Sequence, residues 1–199
     1  IRRQRQMCIR DRSSGGNAAF FRNQRAGSAV PRIRIQLYRA TGSVPETFVD
    51  GALARFGNMY AAGTNEAFDV YKYNNMEENI SLVRSNNYLS IESRPLPAVG
   101  DTLFLPFWNV TNRGYALQIE MDQFAQTGLT AVLVDQFTNS RITIPAAGGA
   151  FVYPFTVTAA AGSRSLSRFR IELSPVSTLP VNFTAIRASA RANGVQVEW

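Results

Sequence analysis

No histidine occurs anywhere in the 199 residues, and cysteine occurs once, at Cys8. Without histidine the chain lacks the commonest general base and the commonest metal ligand, which excludes Ser-His-Asp and Cys-His nucleophilic chemistry. One cysteine forms neither an internal disulfide nor a cysteine-rich zinc site. No run of about 18 apolar residues is present, so the sequence offers no membrane-spanning helix. A phosphate loop is missing too. Gly148-Gly149 follows Ala146-Ala147 with no Lys-Ser/Thr behind it, and reads as a turn. What is present is an ordinary globular composition, 45% hydrophobic and 18% charged. At this length it fills one domain or one and a half, with a sizeable core.

The formal charge of +7 is unevenly placed. Residues 1–12 carry five arginines against one aspartate, and so hold +4 of it. Met7–Arg12 (MCIRDR) also reads as an in-frame translation of a transposase adaptor end used in short-read library preparation. Residues 1–12, Cys8 among them, are therefore expected to be non-native and are excluded from fold reasoning. The competing readings are a basic arm for nucleic acid or anionic lipid and a plain solvated terminus. The rest of the chain carries +3 without a block, and a nucleic-acid partner is not expected. No apolar stretch of signal-peptide length follows the basic start, so the chain is expected to be a fragment.

Residues 13–30 are small, polar and Gly-rich around Phe20-Phe21, as a linker is. Order is expected from Pro31. In Arg32–Tyr38 every second residue is apolar (Ile33, Ile35, Leu37), the period of a half-buried strand. Further strands are expected at Thr47–Val49, Phe68–Tyr73, Ile80–Arg84, Tyr88–Glu92, Tyr115–Met121, Thr130–Asp135, Arg141–Ile144, Phe151–Val157 and Phe169–Leu173, and at Thr102–Trp108, which is apolar on both faces as a central strand buried on each side is. Turn-forming clusters such as Ser85-Asn86-Asn87 and Thr138-Asn139-Ser140 separate them. The expected fold over 31–174 is all-β: an antiparallel β-sandwich, Ig-like or jelly-roll-like. One stretch departs. Asp50–Ala62 is Ala-rich with Leu53, Phe56 and Tyr60 at near-helical spacing, which suggests a short helical turn or an irregular crossover. Pro106 and Pro154 interrupt strands and mark edges, or bends where the chain changes sheet. Residues 175–180 form a Pro-bounded connector. Residues 181–199 alternate again about a turn at Ala192-Asn193-Gly194, as the first hairpin of a truncated C-terminal β domain.

That tail, LPVNFTAIRASARANGVQVEW (residues 179–199), resembles the opening of the penultimate module in surface proteins exported by the type IX secretion system. The family pattern LPV-x-x-x-F-x-A, then N-x-V-x-L-x-W, is met by Leu179, Pro180, Val181, Phe183, Ala185, Asn193, Val195, Val197 and Trp199. Fewer residues than usual separate Val181 from Phe183, and the chain ends before the family's T-A-S-E stretch. Upstream, Phe68–Tyr73, Leu89-Ser90-Ile91 and Arg168–Leu173 are similar to pieces of the β-sandwich that precedes this module. The resemblance implies a non-catalytic structural or adhesive module of a secreted or cell-surface protein. Its partners would be neighbouring domains of the same polypeptide and glycans or other cell-surface components, without membrane insertion.

Carboxylates are the remaining candidates for chemistry. Glu77-Glu78 lie in a polar turn and read as a solvated hairpin tip. The sharper alternative is a calcium site built from Glu66, Asp69, Asn74 and Glu77, since calcium takes several oxygen ligands from a flexible loop. No EF-hand spacing accompanies them, and no other cofactor is expected. Glu120, Asp122 and Asp135 read as outer-face charges. Arg164, Arg168 and Arg170 cluster about Phe169, which points opposite to its neighbours. Most aromatics in alternating strands belong to the core, Trp108 included. Tyr71 and Tyr73 are the residues placed to bind a ligand, because a flat exposed ring packs against the C–H face of a sugar. A carbohydrate-binding module is accordingly the alternative function.

Overall fold

The computed structural model describes residues 30–146, 149–176, 187–191 and 194–198. The adaptor-like segment with Cys8, the linker up to residue 29, Ala147 and Gly148, the connector from residue 177 to 180, residues 181–186 with Val181, Phe183 and Ala185 of the tail pattern, the Ala192-Asn193 part of the expected turn, and Trp199 lie outside the described residues.

Period-two patterning becomes strand wherever one face can be buried. In β1 (Arg32–Thr41), Ile33, Ile35 and Leu37 are buried while Arg32 and Arg34 face solvent. β2 (Val44–Phe56) returns antiparallel to it. There follow β3 (Val70–Tyr71), β4 (Asn79–Ile80), β5 (Leu82–Arg84) and β6 (Asn87–Arg94). β7 (Thr102–Leu105), β8 (Phe107–Trp108), β9 (Gly114–Asp122), β10 (Leu129–Asp135) and β11 (Ser140–Ile144) come next. β12 (Phe151–Thr156), a 3-10 turn (Ala161–Arg164), β13 (Phe169–Pro175), β14 (Arg187–Arg191) and β15 (Gly194–Glu198) complete the order. No helix among the described residues is long and apolar enough to cross a membrane.

The fold is all-β. One 11-stranded sheet runs β11-β10-β13-β7-β5-β6-β2-β1-β9-β12, with β3 attached to β6. Its pairs are antiparallel except β2 with β6, which run parallel through Leu53↔Ile91 to Phe56↔Arg94. The sheet curls about a single core into a nearly barrel-shaped body. β12, at one end of the path, therefore faces β13, with the Phe155 and Phe169 ring centroids 4.8 Å apart. The layers of the expected sandwich are thus two halves of one continuous mixed sheet. Ile33, Ile35 and Leu37, Leu117 and Ile119, Leu103 and Leu105, and Leu133 and Ile171 share that core. β14 and β15 form a two-stranded antiparallel sheet of their own, from Arg187↔Glu198 to Arg191↔Gly194.

Asp50–Ala62 corrects the sequence reading. Residues 50–56 are strand, and Asp50, Ala52, Ala54 and Phe56 are its buried face. Helix propensity favours alanine by well under 1 kcal/mol per residue over most alternatives. Burying the Phe56 ring alone contributes about 1.5–3 kcal/mol, and the ladder to β1 satisfies the backbone as well. The period of two was hidden because its inward positions hold an aspartate and two alanines. Phe68–Tyr73 shrinks for a converse reason: Val70 and Tyr71 are both exposed, and only these two residues pair with β6. Pro106 separates β7, in the large sheet, from β8, which pairs with β4 in a second small sheet. Pro154 sits in β12 at the end of the sheet path, where a missing N–H disrupts no second ladder.

Candidate functional site

Two acids expected on the outside, Asp135 and Glu78, are buried and paired. Asp135 and Arg168 meet side-on, Nε donating to Oδ1 at 3.0 Å and a terminal nitrogen to Oδ2 at 2.8 Å. The hydroxyl of Tyr153 donates to Oδ2 at 3.0 Å, and the backbone N–H of Phe137 to Oδ1 at 2.9 Å. Burial pushes the Asp135 carboxyl up, but the Arg168 hydrogen bonds and charge outweigh it and hold the group below its ordinary value. The guanidinium lies about 5 Å from the Phe137, Phe155 and Phe169 rings and donates to the carbonyls of Thr156 and Ser163. Glu78, expected at a solvated tip, is buried as well. Arg39 donates to both of its oxygens, at 3.0 and 2.7 Å, and the Tyr115 hydroxyl adds a third bond at 3.0 Å. The Arg39 hydrogen bond holds this carboxyl at about 2. Glu120 and Asp122 do lie on the outer face, where they pair with Arg34 and Arg32.

The four residues of the calcium reading fall into different roles. Asp69 is buried, and its oxygens accept the backbone N–H groups of Ser93 at 2.6 Å and Asn65 at 2.7 Å. Glu77 is exposed and pairs with Arg39 at 2.5 Å. Glu66 and Asn74 are exposed. Among the described residues no three acidic side chains converge as a metal site. Tyr71 and Tyr73 are 41% and 86% exposed.

A cleft of about 400 Å³ opens beside them, lined by Lys72, Asn74, Tyr88, Trp108 and Leu166. Strand alternation makes it. Phe107 turns into the core, so Trp108, its neighbour in β8, turns outward and is half-buried. Leu89 turns inward in β6, so Tyr88 turns outward. The two outward rings meet edge to face, centroids 5.4 Å apart and planes inclined at 62°. The opposite rim is fixed by hydrogen bonds. Lys72 N–H donates to the Tyr88 carbonyl at 2.9 Å, and its ammonium reaches Asp50 at 2.5 Å, where Asp50 also accepts the Ile80 N–H. The fully buried Asn79 ties the loop after Asn74 together, accepting from Asn75 N–H and donating to the carbonyls of Asn75 and Glu77.

No protein-family model, curated protein or solved structure matches the chain.

Among the described residues nothing hydrogen-bonds the Trp108 indole N–H, the Tyr88 hydroxyl or the Asn74 amide. Sequence reasoning singled out Tyr71 and Tyr73, whereas the residues lining the cleft from that segment are their alternates, Lys72 and Asn74. Tyr88 and Trp108 had a signal available to them: each follows or precedes a large apolar residue on its strand, which puts the aromatic ring on the solvent side.

Proposed function

We propose that residues 31–174 form a non-catalytic structural or adhesive module of an exported surface protein. Its setting would be the outer cell surface or the secreted space, and its immediate partners the neighbouring domains of the same polypeptide. The observation that carries this reading is the saturation of the Asp135 carboxylate. Both oxygens are filled by Arg168, Tyr153 and a backbone N–H, so the acid braces β10 to β13 and β12 and turns no lone pair to a substrate. Glu78 does the same for β1, β9 and the β4 loop through Arg39 and Tyr115. The likeness of residues 179–199 to the penultimate module of type IX-exported proteins supports the setting, and the antiparallel pairing of β14 with β15 is consistent with it.

An antibody raised against this chain, applied to intact cells of the producing organism, tests the reading. Labelling of unpermeabilised cells or of the medium is expected, together with loss of adhesion or surface retention when residues 31–174 are deleted from the parent protein. Labelling confined to the cell interior would overturn it. So would hydrolytic activity of the purified chain that disappears on replacing a single Asp or Glu.

A further inference from the structure

We infer that the cleft formed by Trp108, Tyr88, Asn74, Lys72 and Leu166 is a binding site for the pyranose ring of a neutral saccharide, a step beyond the structural role proposed above. Its size, about 400 Å³, lies in the range of small-molecule sites and accommodates a ring or two. Trp108 and Tyr88 form a corner of two aromatic faces inclined at 62°, where one ring supplies a platform and the other a wall. A pyranose presents an apolar C–H face and a rim of hydroxyls, so it requires a flat apolar surface bordered by hydrogen-bonding groups.

Those groups are present and unspent. The indole N–H is a donor, the tyrosine hydroxyl both donor and acceptor, and the amide supplies two donors and an acceptor. None of the three has a partner among the described residues. A purely apolar guest would cover them without replacing their hydrogen bonds to water, which costs about 1–3 kcal/mol for each group left unsatisfied. A cationic guest gains nothing from charge: the lining residues include no acid, and the nearby Asp50 carboxylate is already paired with Lys72. An anionic sugar gains little from Lys72, because its ammonium is already held by Asp50 at 2.5 Å and its side chain is 4% exposed. The neutral polyol is what remains.

The site is also prepared. Lys72 is anchored to Asp50 and to the Tyr88 carbonyl, and Asn79 fixes the loop that follows Asn74. Binding therefore orders little beyond the Asn74 and Tyr88 side chains, which keeps the entropy cost low.

The chain holds two tryptophans, so its indole N–H signals make a direct reporter. The full chain, labelled with nitrogen-15, is titrated with methyl β-glucopyranoside, methyl α-mannopyranoside, methyl β-galactopyranoside, N-acetylglucosamine and their hexasaccharides. Tetramethylammonium chloride serves as the cationic probe, and Trp199→Phe assigns the two signals. A saturable shift of the Trp108 signal with at least one sugar series is expected. Tyr88→Ala is expected to weaken it about tenfold, and Asn74→Ala by a smaller factor, with melting temperature unchanged. Trp108→Phe keeps a ring while removing the donor and its signal, so calorimetric titration with the same sugars reads it, and it is expected to weaken binding without unfolding the domain. Tyr71→Ala combined with Tyr73→Ala is expected to leave the affinity unaltered. No shift with any sugar at tens of millimolar, binding of tetramethylammonium instead, or unchanged affinity in Tyr88→Ala each overturns the assignment. Loss of binding in the Tyr71 and Tyr73 double variant would move the site to those residues. Any of these failures leaves surface labelling of intact cells, and with it the structural reading, standing.

Discussion

Arg168 and Asp135 lie 33 residues apart in sequence and side by side in the core, joined by two hydrogen bonds of 3.0 and 2.8 Å with 1% and 0% of their side chains exposed. The register Asp135↔Phe169 between β10 and β13 brings them together. Three phenylalanine rings surround the guanidinium, each about 5 Å from its central carbon.

Removing either partner leaves the other buried and uncompensated. Arg168→Met and Asp135→Asn are each expected to lower unfolding free energy by about 3–5 kcal/mol, the usual cost of breaking a buried pair from one side. The double variant is expected to be more stable than the sum of the two predicts, with a coupling of about 0.5–3 kcal/mol. Urea denaturation of the four proteins measures it. Additive losses would show that the pair is not the unit that braces these strands.

How much of this was open to a reader of the sequence depends on what each feature requires. β1, β9, β10 and β13 were legible because large apolar residues, mostly leucine and isoleucine, recur at their alternate positions and turn inward to the core. The strand over residues 50–56 was not, since its inward aspartate is buried by the distant Lys72 and its alanines carry no β signal of their own. The parallel pairing of β2 with β6 has no local signature, because it depends on which edge the curled sheet presents. Arg168 and Glu78 look like surface charges until cross-strand register supplies their partners. The cleft was half legible. Outward aromatics were expected, but Tyr88 and Trp108 belong to strands of different sheets, and only the break at Pro106 brings them within 5.4 Å.

Glu78 makes stability depend on acidity. Its carboxyl is held at about 2, against an ordinary 4.5, chiefly by the Arg39 hydrogen bond. A group whose folded value is depressed contributes fully above the unfolded value and loses that contribution as pH falls through the folded one. Stability is therefore expected to decline between about pH 4.5 and 2. Glu78→Gln is expected to be less stable than the parent at pH 7 by about 1.5–3 kcal/mol, the range for a hydrogen bond to a charged group. It is also expected to show a shallower acid limb. Urea midpoints at pH 7, 5 and 3 check this, and parallel acid limbs for the two proteins would contradict it.

Two glycines distinguish a backbone neighbour from a side-chain one. A Cβ on Gly114 would lie 2.6 Å from the Ala40 carbonyl oxygen of the paired strand β1, which cannot retreat without breaking the ladder. A Cβ on Gly162 would lie 2.9 Å from the Phe137 ring, which is 42% exposed and has room to swing away. Gly114→Ala is expected to cost about 1–3 kcal/mol, the range for overpacking, and Gly162→Ala less. Thermal melts of the two variants rank them, and the reverse order would mean that the edge of β9 is looser than its pairing indicates.

The β5–β6 hairpin offers the opposite kind of change. Arg84↔Asn87 closes a two-residue loop in which Ser85 and Asn86 both have positive φ, at 49° and 64°. This is the type I′ geometry, whose twist matches the strands and whose preferred residues are asparagine followed by glycine. Serine has no special tolerance of the left-handed region, which costs an ordinary residue about 1–2 kcal/mol. Replacing Ser85 by asparagine and Asn86 by glycine keeps the backbone and relieves that strain, with part of the gain offset by the added freedom of the unfolded chain. The double variant is expected to gain about 1 kcal/mol, and to leave the saccharide affinity of the neighbouring cleft unchanged, since Tyr88 keeps its place in the ladder opposite Val83. A loss of stability in urea would show that the serine and asparagine side chains contribute more to this turn than their backbone angles cost.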